Sequence, residues 1–432
     1  MSEIIRAEIN EMNMLGNGIT KQDGCVVFCL GAVDGDIVEA EITQVKKNYK
    51  IAKVLNVEKK SEHRCDVDCV HYVECGGCML RHISYEHELN IKKLSIESAM
   101  RRAGVTDVEV DEVLYSDSIR YRNKVVFHFD DNGKLGYMNE GKHNVVNIDD
   151  CLICPEVFSQ IAEYAENALA DISSLLTYLF IRSNKALDQI NVVVGFKNGR
   201  MSDITDFADS ITKMYPQIVG VLIGEGYHPE EKNDFTVIKG VPYVMTEFCG
   251  LEVKVSAASF FQVNYHAAEM LCEKVAQLAC PMPGEFGADL YCGTGTLGLV
   301  TASMFDGSFI TGVEINEKAV ADAKENAVNN GLTNIGYYSG DSADFVKSAY
   351  GAIDFAIIDQ PRSGCSDKMI KDLTKLKPSR IVCVSCAPDT LARDLKKLID
   401  SGYEIKETIM CDLFPRTKHV ETIAYLVRND CI

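Results

Sequence analysis

The chain has 432 residues, of which 47% are hydrophobic and 25% are charged, a composition that excludes a disordered or fibrous protein. Its length predicts roughly two to four domains, and its net charge of −19 excludes a uniformly basic surface, although a local basic patch is compatible with it. The first residues include an acid, Glu3, and no apolar core, and the most apolar window, residues 161–181, contains acids. We therefore expect a soluble, cytoplasmic protein without a secretory signal or a membrane span.

Residues 1–60 show short alternating strands separated by turn residues. Apolar side chains alternate or cluster in residues 5–9, 37–42 and 50–54, and glycine-containing turns separate these segments. Such a pattern is typical of a small barrel of the oligonucleotide-binding type. On spacing alone, a generic small β-domain fits equally well. Most of the acidic excess lies further along, in residues 61–255.

The 17 cysteines include a tight group of four, Cys65, Cys69, Cys75 and Cys78, after a polar linker. Because we expect an intracellular protein, metal binding or catalysis explains such a group better than disulfide bonds do. Four thiols at this spacing bind either zinc or an iron–sulfur cluster. Zinc is the first expectation from spacing alone.

Helical and strand patterns alternate irregularly in residues 61–255. Helical periodicity covers residues 85–103, and a second helix is predicted near residues 156–170. Apolar runs at residues 125–129 and 190–194 predict strands. We therefore predict an α+β central domain, which contains the cysteine segment.

From about residue 284, strand and helix patterns alternate in the manner of βαβ units, which predicts a parallel sheet. The last two strands are joined by a turn too short for a crossover helix, so they must pair antiparallel. Residues 256–432 are therefore predicted to form an α/β doubly wound, Rossmann-like domain with an antiparallel terminal hairpin. The predicted strands are residues 287–292, 309–315, 335–340, 355–359, 380–385, 403–413 and 420–427.

A glycine-rich turn follows the first of these strands. Residues 289–298 contain Gly-x-Gly-x-x-Gly, which predicts a dinucleotide site, an adenosyl site or only a turn that packs a helix on the sheet. Glu314, Asp341 and Asp359 follow the next three strands, whose carboxyl ends border one crevice. Acidic groups there favour an adenosine ligand with a cationic sulfonium over a pyrophosphate.

Two further residues indicate chemistry at the same edge. Cys386 follows the strand at residues 380–385, and Pro388 opens a helix, whose dipole is expected to favour a thiolate. Glu421 lies at the start of the final strand and by itself resembles an exposed edge residue. Cys383, inside the strand, is predicted to be structural.

Five segments together resemble the signature of the RNA uracil-5-methyltransferase family, and both their order and their spacing fit. The Ser-Cys-x-Pro and Phe-Pro-x-Thr-x-His-x-Glu segments are the most specific. The resemblance extends over nearly the whole chain, and residues 1–60 resemble the TRAM domain of many members. The five segments are residues 259–264, 289–297, 359–362, 385–394 and 414–421.

The resemblance implies a class I methyltransferase domain that transfers a methyl group from S-adenosylmethionine to C5 of a uridine in RNA. The Cys386 thiolate would add to uracil C6 and make C5 nucleophilic, and Glu421 would then remove the C5 proton. The uridine must leave its base stack, and either Phe260 or Phe261 would stack on it. The cofactor-binding residues implied are Gln262, Tyr291, Thr296, Glu314, Asp341 and Asp359.

For the cysteine segment, the resemblance favours a [4Fe–4S] cluster over zinc. The large-subunit rRNA branch of the family holds such a cluster with a Cys-x5-Cys-Gly-Gly-Cys segment, which Cys69, Cys75 and Cys78 match, and one distant cysteine. Cys151 is the expected fourth ligand, with Cys154 as the alternative, and the remaining cysteine of the segment lies outside the site. Because the tRNA branch generally lacks both the TRAM domain and the cluster, the expected substrate is 23S rRNA.

The chain departs from the family pattern at three positions. Ala387 follows the nucleophile where Asn or Asp is usual, Gln360 replaces a proline of Asp-Pro-Pro-Arg, and Thr296 replaces Asn. These changes leave nucleophile and base in place. They keep open a non-catalytic RNA-binding assembly factor, beside a tRNA methyltransferase and a nicotinamide-dependent oxidoreductase.

An RNA substrate requires a local basic surface on this acidic protein. We expect a monomer that binds RNA and contacts no membrane. The residues expected near the RNA path are Lys46, Lys47, Lys50, Lys53, Arg81, Arg101, Arg102, Arg120, Arg122 and Lys124.

Overall fold

The structure is a computed structural model whose strands form four sheets of six, seven, two and eight strands. It describes residues 3–106, 108–139, 144–198, 202–232, 234–349 and 353–431. Among these residues, no helix is both long enough and apolar enough to cross a membrane. The helices are α1 Tyr85–Arg102, α2 Glu156–Ala168, α3 Thr205–Met214, α4 Pro229–Lys232, α5 Tyr265–Ala279, α6 Thr296–Met304, α7 Glu317–Asn329, α8 Ser342–Ser348, α9 Asp367–Leu376 and α10 Pro388–Asp400.

The N-terminal sheet has six strands: β1 Ile4–Glu8, β2 Glu11–Met12, β3 Asn17–Gln22, β4 Cys25–Leu30, β5 Ile37–Val45 and β6 Tyr49–Lys59. Their order is β1-β5-β6-β4-β3-β2, and all neighbours are antiparallel except β4 and β6. Alternate side chains, such as Val27 and Cys29 on β4 and Val38 and Ala40 on β5, form a separate apolar core, as the two-residue period of a strand requires. This is the barrel-like β region that the sequence predicted, and below it is called the N-terminal barrel.

The central sheet combines mostly antiparallel strands with two helices. Its order is β10-β9-β8-β11-β12-β13-β14, and β11 and β12 are buried along their whole length. Phe158 of α2 and Ile211 of α3 pack into its core, so the organisation is α+β. The strands of this sheet, in chain order, are β8 Lys124–Phe129, β9 Leu135–Met138, β10 Val145–Asn147, β11 Leu176–Ser183, β12 Ile190–Phe196, β13 Ile218–Glu225 and β14 Thr236–Gly240.

A two-stranded hairpin, β15 Tyr243–Phe248 and β16 Leu251–Ser256, leads into the C-terminal sheet. That sheet has the order β19-β18-β17-β20-β21-β23-β22-β7, with five parallel strands followed by the antiparallel β22–β23 hairpin. The predicted doubly wound sheet with a reversed terminal strand is confirmed. Its strands are β7 Glu112–Tyr115, β17 Phe286–Leu290, β18 Phe309–Glu314, β19 Ile335–Ser339, β20 Phe355–Asp359, β21 Arg380–Ser385, β22 Tyr403–Asp412 and β23 Glu421–Arg428.

One feature of this sheet was not predicted, namely that β7 pairs with β22 as the eighth strand. Helix α1, which precedes β7, contributes Ile96 and Met100 to the core around Leu391 and Leu395 of α10. A strand of only four residues gives a weak sequence signal, and its partner lies about 300 residues further along. The segment after the cysteines is therefore built into the sheet that carries the catalytic candidates.

Candidate active site and cysteine cavity

The glycine-rich turn between β17 and α6 is held by two carboxylates. The Gly293 amide donates to Glu314 Oε2 at 3.1 Å, and the Gly298 amide donates to Asp289 Oδ2 at 2.8 Å. Gly295 has a φ of +78°, and a Cβ atom there would lie 2.5 Å from the Tyr337 ring. This position therefore requires glycine for both its conformation and its space.

Asp289 is the buried acid that the sequence analysis did not single out. It is fully buried near the end of β17, and its Oδ1 has no hydrogen-bond partner among the described residues. Burial raises the pKa of Asp289 to about 8. Because an unpaired buried oxygen is costly, this atom fits a site that a cationic or donating ligand completes. Its place directly before the glycine turn was the available signal.

The predicted cofactor residues lie around the carboxyl edge of the same sheet. Glu314 and Asp359 end β18 and β20, and Tyr291 follows β17 in a left-handed conformation with a φ of +61°. Thr296 is the first residue of α6, and Gln262 lies in the segment that leads into α5. The fold thus brings five distant segments of the chain to one edge, as parallel βαβ topology dictates.

The sixth predicted cofactor residue, Asp341, has a structural role. It is exposed at the end of β19, and its Oδ1 accepts the amides of Ala343 and Asp344 at 2.9 and 3.0 Å. These bonds cap the N-terminus of α8. Asp341 lies at the expected edge, but capping accounts for one of its two oxygens.

Cys386 and Glu421 lie opposite each other on neighbouring antiparallel strands. β21 and β23 pair with Ser385 opposite Thr422, so the next position outward sets Cys386 opposite Glu421. Opposite side chains in an antiparallel pair share a face, with Cβ atoms about 4.5–5.5 Å apart. The terminal hairpin therefore returns a carboxylate to the thiol.

Burial and the neighbouring Glu421 raise the pKa of the Cys386 thiol, whereas Arg362 lowers it. The expectation that the dipole of α10 would favour the thiolate is wrong in this respect, because lost hydration outweighs the dipole in the free protein. Glu421 is only 6% exposed, and burial, followed by the charge of Asp359, raises its pKa well above the usual range. Both groups are thus biased toward their protonated forms.

Arg362 is the cation shared by the two groups, and the sequence analysis gave it no role. It follows β20 in the motif at residues 359–362, and it opposes the rise in pKa of both Cys386 and Glu421. Burial and the charge of Arg362 also lower the pKa of His419 to about 4. The arginine therefore sets the local potential, and its fixed spacing after Asp359 was the only sequence signal.

The two adjacent phenylalanines have different environments. Phe261 is 3% exposed and packs on Phe248 with ring centroids 5.4 Å apart, whereas Phe260 is 63% exposed. The Phe260 carbonyl accepts the Thr294 hydroxyl at 3.5 Å, beside the glycine turn. Phe261 is thus part of the core, and Phe260 is the ring available to a base.

A buried ion network fixes the loop at residues 413–420, which leads to Glu421. Lys92 of α1 is fully buried, and its Nζ lies 2.8 Å from both the Glu88 and the Asp412 carboxylates and 3.1 Å from the Phe414 carbonyl. The Arg416 amide donates to Glu88 at 2.6 Å. Buried charges persist only when paired in this way, so the network anchors the loop to α1.

A cavity of about 330 Å³ lies in the cysteine region, with Cys69, Cys75, Cys78 and Cys151 among its walls. These thiols come from the predicted segment and from the loop before α2. Arg81 also lines the cavity; it is 3% exposed, and its Nε and Nη2 lack partners among the described residues. A buried guanidinium with free donors beside four thiols fits an anionic, sulfur-rich group.

The other two cysteines of the region have different surroundings. Cys65 is exposed, and its thiol donates to the Arg81 carbonyl at 3.4 Å. Cys154 is fully buried behind the cavity, 3.5 Å from the Tyr137 hydroxyl. Neither lines the cavity, so the geometry groups Cys151 rather than Cys154 with the cysteine segment.

The spacing of the four cavity thiols also bears on the metal. Sulfur atoms that share one zinc ion at about 2.3 Å lie about 3.8 Å apart. Among the described residues, the metal-ligand atoms that converge within 4.8 Å of one another in a set of three belong to other residues, not to these cysteines. The wider spacing of the thiols suits a cluster better than a single ion.

Residues 120–124 connect the cysteine cavity to the sheet edge. The Arg122 amide donates to the Ile153 carbonyl at 2.8 Å, next to Cys154, and Arg122 itself lines the cavity. The neighbouring Asn123 side chain donates to the Gln262 carbonyl at 2.9 Å. The two sites are thus joined through a short, hydrogen-bonded segment.

The predicted basic residues do not form one free cationic surface. Arg81 is buried against Asp68, and Arg120 pairs with Asp150 at 2.8 Å. Others of the set pair with acids, including Lys50 with Glu3, Arg102 with Asp389 and Lys124 with Glu230. The exposed members are Lys46, Lys47, Lys53 and Arg101.

The doubly wound sheet, its glycine turn and the terminal hairpin define an α/β domain of the methyltransferase type. The chain superimposes on the structure of a tRNA (uracil-54, C5)-methyltransferase of Pyrococcus abyssi, in complex with S-adenosyl-L-homocysteine, with a TM-score of 0.80 and 24% identity over 98% of this chain and 100% of that one. This likeness shows that the two proteins share a fold.

Sequence comparison identifies the family. Residues 250–429 match the tRNA (uracil-5-)-methyltransferase family. RNA methyltransferases of Caldanaerobacter subterraneus subsp. tengcongensis and Halalkalibacterium halodurans are 32% and 30% identical, over 99% and 98% of this chain and 99% and 97% of their own lengths. The chain belongs to the RNA uracil-5-methyltransferase family.

Proposed function

We propose that the protein methylates C5 of a uridine in 23S rRNA with S-adenosylmethionine as methyl donor. The observation that carries the proposal is the strand register that sets Cys386 opposite Glu421 with Arg362 beside both. A thiol and a carboxylate so placed supply the nucleophile and the base that this reaction requires.

Cys386 acts as the nucleophile. Its thiolate forms a bond to uracil C6, and the electron pair of the C5–C6 double bond makes C5 nucleophilic. S-adenosylmethionine, when bound, supplies the methyl group that C5 accepts. Because burial and Glu421 disfavour the free thiolate, Arg362 is needed to stabilise the anion.

Glu421 acts as the base that ends the reaction. It removes the hydrogen left on C5, the C5–C6 double bond re-forms, and the C6–sulfur bond breaks to release Cys386. A raised carboxyl pKa makes Glu421 a stronger base toward a carbon acid than an exposed glutamate. Arg362 keeps a fraction of it ionised.

We assign the cofactor to the glycine turn and the surrounding acids. Glu314 is placed to accept hydrogen bonds from ribose hydroxyls, and the unpaired oxygen of Asp289 is placed to accept from a donor of the ligand. The other residues that would hold it are Gln262, Tyr291, Thr296, Asp341 and Asp359.

Two departures from the family pattern are accommodated by one residue, Ser385, which supports an active enzyme. The buried Gln360 side chain donates to the Ser385 hydroxyl at 3.3 Å, and the Ala387 amide donates to the same oxygen at 3.1 Å. Both changes therefore have satisfied hydrogen bonds. We find no feature that disables the nucleophile or the base.

We propose that Cys69, Cys75, Cys78 and Cys151 hold a [4Fe–4S] cluster. The shared cavity, the thiol spacing and the unpaired donors of Arg81 support this choice. Methyl transfer needs no electron, so the cluster is structural: it fixes the irregular segment that residues 120–124 join to the active site.

We further propose that residues 1–60 form a TRAM domain that binds RNA, that residues 61–255 form a central domain, and that residues 256–432 carry out methyl transfer. Exposed Phe260 would stack on the flipped uracil. The cysteine site together with the N-terminal barrel favours 23S rRNA over tRNA.

Tritium release from RNA labelled at uridine C5 tests the proposal. Anaerobically purified protein and S-adenosylmethionine are offered 23S rRNA or tRNA transcripts separately. Release with 23S rRNA that disappears in Cys386→Ala is the expected result. Release only with tRNA would overturn the substrate, and no release from either would favour a non-catalytic RNA-binding factor.

A further inference from the structure

Three potential metal ligands outside both sites converge where the N-terminal barrel meets α1. Asp34 lies in the loop between β4 and β5, His63 lies in the linker after β6, and His87 lies in the first turn of α1. His87 is 6% exposed, and the other two are partly buried. Together they offer two imidazoles and one carboxylate, a ligand set typical of zinc.

Their geometry is close to that of a metal site. One ligand atom from each residue lies within 4.8 Å of the other two. The imidazole rings are parallel, with an interplanar angle of 2° and centroids 3.7 Å apart, and His87 Nε2 lies 2.7 Å from Asp34 Oδ1. Ligand atoms on a tetrahedral zinc ion lie about 3.3 Å apart, so side-chain rotation alone can close the set around an ion.

The backbone around the three residues holds them in place. The Ser84 amide donates to the His63 carbonyl at 2.9 Å, which fixes the linker against the start of α1. Arg64 pairs with the fully buried Asp36 at 2.5 Å, which fixes the same linker against the barrel loop. A scaffold of this kind lowers the entropic cost of binding an ion.

We propose that Asp34, His63 and His87 bind a divalent transition-metal ion, with zinc the best match and water as the remaining ligand. The ion would replace the hydrogen bond between His87 and Asp34. It would join the barrel to α1, the helix that also carries Glu88 and Lys92 of the buried network. The metal would therefore hold the barrel in a fixed position relative to the loop at residues 413–420.

Zinc binding to the full-length, anaerobically purified protein tests the proposal, with calorimetry and metal analysis after removal of free zinc. The variants are His63→Gln and His87→Gln, and the matched control is His266→Gln, whose side chain is 69% exposed on α5. We expect the unmodified protein and the control to bind one zinc ion that both site variants bind at least about 100-fold more weakly.

Cobalt in place of zinc distinguishes this site from the cysteines. Ligation by nitrogen and oxygen gives no sulfur-to-cobalt charge-transfer band, so a cobalt spectrum without that band that is lost in His63→Gln supports the proposal. Equal zinc binding by all variants, no zinc binding by the unmodified protein, or a thiolate band in every variant would overturn it. Because His63 is partly exposed, its variant is expected to fold, which unchanged circular dichroism would verify.

Discussion

The molecule uses cysteine in two contrasting regions. At the sheet edge, one thiol, Cys386, faces Glu421 across a regular strand pair, and Arg362 lies beside it. In the cysteine cavity, four thiols from irregular segments surround a common space next to the buried Arg81. The first arrangement controls the protonation of one sulfur, whereas the second sets distances among several.

The difference shows how a fold assigns two roles to one residue type. Strand register places the catalytic pair without any bound group, because the backbone of β21 and β23 fixes it. Loop segments such as residues 65–79 have no strand or helix to fix them, so their thiols depend on a shared ligand for rigid spacing. Substitutions should therefore separate chemistry from structural integrity.

The largest expected effect is at the base, in Glu421→Gln. Cys386 would still add to C6 and C5 would still be methylated, but the C5 proton would remain, so turnover should fall roughly 10²–10⁴-fold. The covalent protein–RNA complex should accumulate and survive denaturing electrophoresis. Adding Cys386→Ala to this variant should abolish the complex; a complex that persists would assign the nucleophile to another residue.

Cys75→Ser is expected to act on the other region. Loss of one cavity thiol should release most of the bound iron and lower the melting temperature, because binding of a metal group contributes directly to folding. Cys65→Ser is the matched control, since Cys65 is exposed and outside the cavity. Iron analysis and thermal unfolding check both; equal iron in the two variants would contradict the proposed cluster.

The fourth ligand is tested by a second pair of variants. Cys151→Ser should lose iron as Cys75→Ser does, because Cys151 lines the cavity. Cys154→Ala should keep its iron and lose only about 1 kcal/mol of stability for the small buried void. Iron loss in Cys154→Ala alone would reverse the assignment.

Much of the C-terminal fold could be predicted from sequence, because its strands are apolar runs whose ends carry glycine turns or acids. The central Glu317–Asn329 helix and the terminal hairpin follow from local periodicity and from a turn too short to cross over. The eighth strand could not be predicted, because β7 pairs with a segment about 300 residues away, and tertiary pairing rather than local preference creates it.

The candidate site was predictable in its residue types but not in its electrostatics. The positions of Cys386 and Glu421 follow from motifs, yet their raised pKa values depend on burial and on charges from separate strands. The same reason explains why Asp289 and Arg362 were overlooked: each gains its role from neighbours that the fold brings together. Three-dimensional context likewise distinguishes exposed Phe260 from buried Phe261.

The smallest predicted effect concerns the cation beside the catalytic thiol. Arg362 lowers the pKa of both Cys386 and Glu421, so Arg362→Gln should raise both, and the thiolate should form at higher pH. In RNA-free protein, alkylation of Cys386 near pH 7 should slow roughly three- to tenfold and recover as the pH rises, as mass spectrometry of the modified peptide would show. Arg393→Gln, which removes a cation paired with Asp394 on α10, is the control. A profile that stays unchanged in Arg362→Gln would mean that Arg362 does not set the charge of the nucleophile, and the contrast between the two cysteine regions would then rest on geometry alone.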